Sequence, residues 1–298
     1  MNSKAETEGM HYEGNCIRPP PEVASILLQV TLGCSHNKCT FCGTYKDKAF
    51  RIKDDNIILS DILFAAKYMK AQDRVFLMDG DALIVPQKRL IWILKRIQEH
   101  LPWVKRVAAY ANTRSIHLKT LRELTELRRN RLGMLYLGVE SGDDKIRKMI
   151  NKGSSAQHCL EMGKKVKQAG MQLTVTLLLG IGGKEKSLQH ARATGKLVSE
   201  MDPDFASALT VMMIPGTPLW EEYKRGDFKL PDQRELLIEM KELLTHTHLS
   251  CGLFSSNHAS NYLPLRAWLP EGKQALLDSI DAALQGKIGL KPEWMRAF

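Results

Sequence analysis

The sequence has no long apolar run: its longest strongly apolar stretch, residues 173–181, contains two threonines and ends among glycines. A bilayer-spanning helix needs about 20 consecutive apolar residues, so no membrane partner is expected. The opening residues, MNSKAETEGMHYEGN, are polar and hold no apolar signal-peptide core; a cytoplasmic location is the expectation. Internal repeats and low-complexity blocks are absent, and 44% apolar with 26% charged residues excludes a disordered or collagen-like chain. Cysteine is scarce, six in 298 residues, which excludes a small disulfide-stapled scaffold. What is present is enough chain for one large α/β domain, or one domain with an appendage. The net charge is 43 − 33 = +10. That surplus permits nucleic acid or an anionic metabolite as partner, and it is equally met as solvated helix faces.

From residue 24 onward short apolar runs alternate with helical patterns. The runs at 24–31, 74–79, 106–111, 134–139, 172–179 and 205–213 read as strands. Helices are expected at 56–70, 86–100, 117–130, 155–169, 186–201 and 233–247, several with a capping serine, a first-turn proline or a terminal glycine. Six such alternations argue for a parallel α/β sheet with helical crossovers, either doubly wound or a barrel. Residues 254–270 differ, being rich in Ser, Asn, His and Pro, and a short helix at 273–285 follows. They read as an extension that packs on, or closes, the main domain.

Three of the six cysteines cluster directly after the first expected strand, in Gly33-Cys34-Ser35-His36-Asn37-Lys38-Cys39-Thr40-Phe41-Cys42-Gly43. In a reducing compartment such a cluster points to metal or catalysis before disulfides. Three thiolates can ligate three corners of a cubane iron–sulfur cluster and leave one iron open to a substrate or cofactor. Structural zinc wants four ligands, usually two separated pairs, and no second pair exists, although His36 could serve as a fourth. A redox or structural thiol loop is the remaining reading. Cys16, Cys159 and Cys251 stand alone.

With these residues the chain resembles the radical S-adenosylmethionine superfamily, whose members carry three cysteines after the first strand of a partial (β/α)6 TIM-like barrel. Phe41 holds the aromatic place before the last cysteine, whereas four residues rather than the usual three separate Cys34 from Cys39. The resemblance continues at successive strand ends. Asp79-Gly80-Asp81-Ala82 stands where the family binds the methionine amino group, with Asp79 and Asp81 expected on one side of an extended strand. Glu140 and Ser141, in Gly138-Val139-Glu140-Ser141-Gly142-Asp143, match a ribose-binding motif, and Lys152 falls where relatives hold the methionine carboxylate. Gly180 opens a glycine-containing stretch matched to the adenine contact, and Met212 and Met213 fall on the family's last barrel strand.

The resemblance implies an N-terminal segment (1–21), a core barrel (22–225) and a C-terminal extension (226–298) capping the barrel. It implies a [4Fe–4S] cluster on Cys34, Cys39 and Cys42, with S-adenosylmethionine on Phe41, Gly80, Asp81, Glu140, Ser141, Lys152 and Gly180. Reductive cleavage of the sulfonium then gives methionine and a 5′-deoxyadenosyl radical for hydrogen abstraction. An external electron donor, such as a flavodoxin or ferredoxin, follows from that chemistry. A small or medium anionic metabolite, not itself identified by the sequence, is the expected substrate; RNA is the alternative, and a non-catalytic iron–sulfur redox sensor or binding protein another. His258 and Asn261, in the polar segment Ser255-Ser256-Asn257-His258-Ala259-Ser260-Asn261-Tyr262-Leu263-Pro264-Leu265, are candidate substrate contacts. Cys251 reads as buried packing or, alternatively, as a reactive thiol; His246, His248 and Cys251 fall close together, but positions two apart on a helix do not share a face, which argues against a second metal there.

Overall fold

Strand β1 (Ile26–Leu28) begins the alternation, followed by the short β2 (Thr31–Leu32) and β3 (Arg51–Ile52). The computed structural model describes residues 9–297, so residues 1–8 of the expected N-terminal segment lie outside the described residues. Then come α1 (Asp55–Tyr68), β4 (Arg74–Leu77), α2 (Gln87–His100), β5 (Arg106–Ala111), α3 (Thr113–His117), α4 (Leu121–Arg129) and β6 (Leu132–Glu140). The chain continues through α5 (Asp144–Met149), α6 (Ala156–Gln168), β7 (Gln172–Leu179), α7 (Gly183–Met201) and β8 (Phe205–Thr210). It ends with α8 (Pro218–Arg225), α9 (Gln233–Thr245), β9 (Gly252–Ser255), β10 (Arg266–Leu269) and α10 (Lys273–Leu284).

The fold is α/β, with one open, mostly parallel sheet in the order β1-β4-β5-β6-β7-β8-β9-β10 and a separate β2-β3 pair. Strands such as β4 and β6 are almost wholly buried, which is why their sequences read as continuous apolar runs rather than alternating ones. Helices present a buried stripe instead: Ile58, Ile62 and Ala65 on α1, and Leu90, Ile93, Leu94 and Ile97 on α2. The chain divides into two compact units. One holds the described part of Met1–Ser35 with Thr44–Leu135 and Ala169–Met171. The other holds His36–Gly43, Tyr136–Gln168 and the described part of Gln172–Phe298.

Several expected boundaries move, each for a local reason. The helix expected at 117–130 is two helices. Asn112 caps α3 with Ser115, and a Thr120–Glu123 capping box starts α4, so the amides at each new start are satisfied by side chains. The second expected strand stops at Leu77, because Asp79 adopts a left-handed conformation (φ 68°). Strand alternation therefore does not carry Asp79 and Asp81 to one side. The polar stretch 254–270 holds the end of β9 and all of β10: β9 pairs parallel with β8, and β10 returns antiparallel, Ala267 opposite Phe254. Few strand-like alternations mark this hairpin, since only Leu269 of β10 is buried. Among the described residues no helix is long and apolar enough to cross a membrane.

Candidate functional site

In the first unit, the end of β4 packs against the start of the cysteine loop. The Gly80 amide donates to the Gly33 carbonyl at 3.0 Å. A Cβ on Gly80 would lie 2.7 Å from the Cys34 Cβ and 2.9 Å from the Tyr45 ring, so this approach requires glycine. Asp79 Oδ2 accepts from the Gly33 amide at 2.8 Å and from Gln29 at 3.3 Å, while its buried Oδ1 has no hydrogen-bond partner. Burial raises the Asp79 carboxyl above its ordinary value, against the opposing pull of the Gly33 amide and Lys48. Asp81 Oδ2 accepts from Ser35 Oγ at 2.5 Å and from Asn112 Nδ2 at 2.8 Å. Burial pushes its carboxyl up to about 6 despite those bonds. Ser35 and Asn112 were not singled out in the sequence; Asn112, a cap residue directly after a strand, carried the signal that could have found it.

In the second unit, residues 36–43 lie on the turn after α5. The Thr40 amide donates to the Ile150 carbonyl at 3.0 Å, and the Thr40 carbonyl accepts from Leu219. Phe41 packs against a cluster of Ile146, Ile150, Leu178, Ile181, Val211, Leu219 and Phe228. His36 Nε2 is 2.7 Å from the Asn151 carbonyl, which directs that nitrogen away from a ligand role. Cys34, Cys39 and Cys42 form no disulfide and are of intermediate exposure. Among the described residues no three His, Cys, Asp or Glu side chains form a ready-made metal site, the His246–Cys251 region included.

Lys152 Nζ donates to Glu140 Oε1 at 2.9 Å. Both are shielded, with 16% and 11% of their side chains exposed. Burial disfavours the Lys152 ammonium, but Glu140 and the neighbouring Cys39 outweigh it and hold its pKa above the ordinary lysine value. Glu140 sits at φ 60°, a strained position for a non-glycine residue. Arg147 fixes this corner: its guanidinium donates to the carbonyls of Val139, Ser141 and Ser154 and to Ser154 Oγ.

Ser141 points into a buried polar group rather than outward. Its hydroxyl is 2.8 Å from His190 Nδ1 and accepts from the Asp143 amide. His190 Nε2 lies 3.6 Å from Glu239 Oε1, which accepts from the Gly180 amide at 2.7 Å; Ser187 donates to the other carboxylate oxygen. Burial drives His190 down to about 4 and Glu239 up to about 7. No local pattern announces His190 or Glu239, because helical residues 49 and 59 positions away from their partners meet only in the fold.

The C-terminal candidates fall into two kinds. Asn261 is buried, its Oδ1 accepting from Thr210 Oγ1 and its Nδ2 donating to the carbonyls of Ala208 and Ser256. Both amide hydrogens are thus engaged in joining β8 to the hairpin, and the amide serves the fold. His258 accepts the Ser260 amide on Nδ1 at 3.1 Å, so its proton is on Nε2. Arg296 stacks on Tyr262 (4.3 Å) and lies beside Met212. Cys251 is exposed, not buried as expected, and Cys159 is the buried one of the scattered thiols.

A family model described as the Radical SAM superfamily matches residues 28–193. An uncharacterized methyltransferase of Pyrococcus horikoshii is 23% identical over 200 residues, 65% of this chain and 41% of the relative. A tRNA uridine(34) acetyltransferase of Methanocaldococcus infernus is 29% identical over 107 residues, 35% of this chain and 20% of that protein. The chain therefore spans less than half the length of these relatives. Among solved structures, the radical S-adenosylmethionine methyltransferase TsrM of Kitasatospora setae, with cobalamin and a [4Fe–4S] cluster bound, is similar in fold. Its TM-score is 0.55 at 14% identity, over 89% of this chain and 54% of that one.

Proposed function

The chain belongs to the radical S-adenosylmethionine superfamily, and from that premise we propose that it abstracts hydrogen from a small anionic metabolite. Cys34, Cys39 and Cys42 would hold one [4Fe–4S] cluster, the cofactor its superfamily uses together with S-adenosylmethionine. The observation that carries this reading is the Glu140–Lys152 pair, whose ammonium shares the electrostatic surroundings of Cys39. A cation suited to a carboxylate thus stands on the turn to which the cysteine loop is hydrogen-bonded. The donor set fits as well: three cysteines outside any disulfide, with His36 bonded elsewhere and Gly80 leaving room beside Cys34.

When bound, the cluster and S-adenosylmethionine supply one-electron cleavage of a sulfonium and a route to unactivated C–H bonds. The protein's own residues bind and orient. Lys152 would hold the methionine carboxylate, and Gly80 with Asp81 the amino group, Asp81 being steadied by Ser35 and Asn112. Glu140 would accept from ribose hydroxyls. The Gly180 backbone would border the adenine, with Ser141 acting behind it through His190. Phe41 anchors the loop in apolar packing, and a flavodoxin- or ferredoxin-type protein would deliver the electron.

The test is anaerobic reconstitution, iron and sulfide analysis, and a search for 5′-deoxyadenosine after adding dithionite and S-adenosylmethionine. Wild type should yield it and Cys39→Ala should not. A Cys39→Ala protein with cluster and turnover intact would refute the ligand assignment. RNA is the second reading, permitted by the net charge of +10 and favoured by the relative named for tRNA uridine 34. It requires tRNA binding that weakens steeply with salt.

A further inference from the structure

We infer that His36 is a positioning residue that docks the cysteine loop onto the turn carrying Lys152, a role that rests on the cofactor reading above. Four contacts within the second unit carry it. The Asn151 carbonyl can only accept, so His36 Nε2 donates to it, at 2.7 Å. Asn151 Nδ2 returns a hydrogen bond to the Lys38 carbonyl at 3.1 Å. The Thr40 amide donates to the Ile150 carbonyl at 3.0 Å. Gly153 provides the seat: a Cβ there would stand 2.6 Å from His36 Cε1.

The turn itself is built to receive the ring. Asn151 (φ 51°) and Gly153 (φ 80°) are both left-handed, which folds the backbone tightly around Lys152. The Lys152 amide donates to the Arg147 carbonyl at 2.9 Å, and the Arg147 guanidinium ties the same turn to the end of β6. A spacer of four residues between Cys34 and Cys39 gives the loop extra conformational freedom. His36, from the middle of that spacer, removes it. Cys39 and Lys152 are thereby held in one frame, the first as cluster ligand and the second as carboxylate clamp.

The first test needs no metal. In the metal-free protein His36→Ala should speed hydrogen exchange at the Thr40 amide about tenfold, because the loop opens locally more often. In the reconstituted protein the same variant should bind S-adenosylmethionine about tenfold more weakly, a loss of about 1.4 kcal/mol, with iron content unchanged. His36→Gln, which keeps an N–H donor, should recover most of both. Gly153→Ala should mimic His36→Ala, and the double variant should lose less than the sum, since without the ring the new Cβ is relieved of its nearest clash and only the strain of alanine at φ 80° is left. Circular dichroism confirms that each variant is folded. Unchanged Thr40 exchange in His36→Ala, or strict additivity in the double variant, overturns the docking. A wild-type protein that takes up no iron overturns the proposed function instead, while the metal-free exchange result still decides the role of His36.

Discussion

Replacing Glu239 by glutamine should change the pH dependence of stability in a defined window. Glu239 and His190 are both fully buried and 3.6 Å apart. Burial holds Glu239 at about 7, against 4.5 when free, and His190 at about 4, against 6.5. A carboxyl raised in the folded state contributes stability that is complete below 4.5 and lost as pH rises to 7. A depressed histidine does the opposite, its contribution growing as pH rises to 6.5. Between pH 4.5 and 6.5 the folded pair carries its proton on Glu239 and the unfolded pair carries its own on His190. One proton is bound in each state, so the slopes cancel. In Glu239→Gln only the histidine remains. Relative to wild type, the variant should then gain about 1.4 kcal/mol per pH unit across the window, about 3 kcal/mol by pH 7. Glutamine can still accept from the Gly180 amide, which keeps the local structure. Urea denaturation of both proteins between pH 4.5 and 8 measures the difference directly. A stability difference that stays flat with pH would refute the assignment of these two protonation states.

Two simpler substitutions examine the neighbouring geometry. Gly80→Ala places a Cβ 2.7 Å from the Cys34 Cβ; the folded protein should take up far less iron on reconstitution, and normal iron content would show that the loop tolerates the crowding. Asn261→Ala strands the carbonyls of Ala208 and Ser256 and the hydroxyl of Thr210, so it should cost about 3 kcal/mol by chemical denaturation. If Asn261→Ala is as stable as wild type, its amide is available for a substrate after all.

The strand–helix alternation from β1 to β8 was legible because burial on both faces leaves an apolar run, and amphipathic packing leaves a helical period. Boundaries failed where a single backbone angle or cap intervened, at Asp79 and at Thr120. The β9–β10 hairpin was missed because polar residues do its work: Ser256, Ser260 and Asn261 bond backbone groups that a usual strand would bury under side chains.

The cysteine loop, Glu140 and Lys152 were legible for a different reason. The chemistry expected of them calls for particular residue types in a fixed order along the chain, and spacing preserves that order. Sequence alone thus determined an α/β chain with a three-thiol loop, followed by an acid at a later strand end and a lysine twelve residues on. Tertiary structure decided who holds them. His190, Glu239 and the His36–Gly153 contact join residues far apart in the chain. A hydrogen bond of that kind depends on three-dimensional approach, to which no local pattern of residues corresponds.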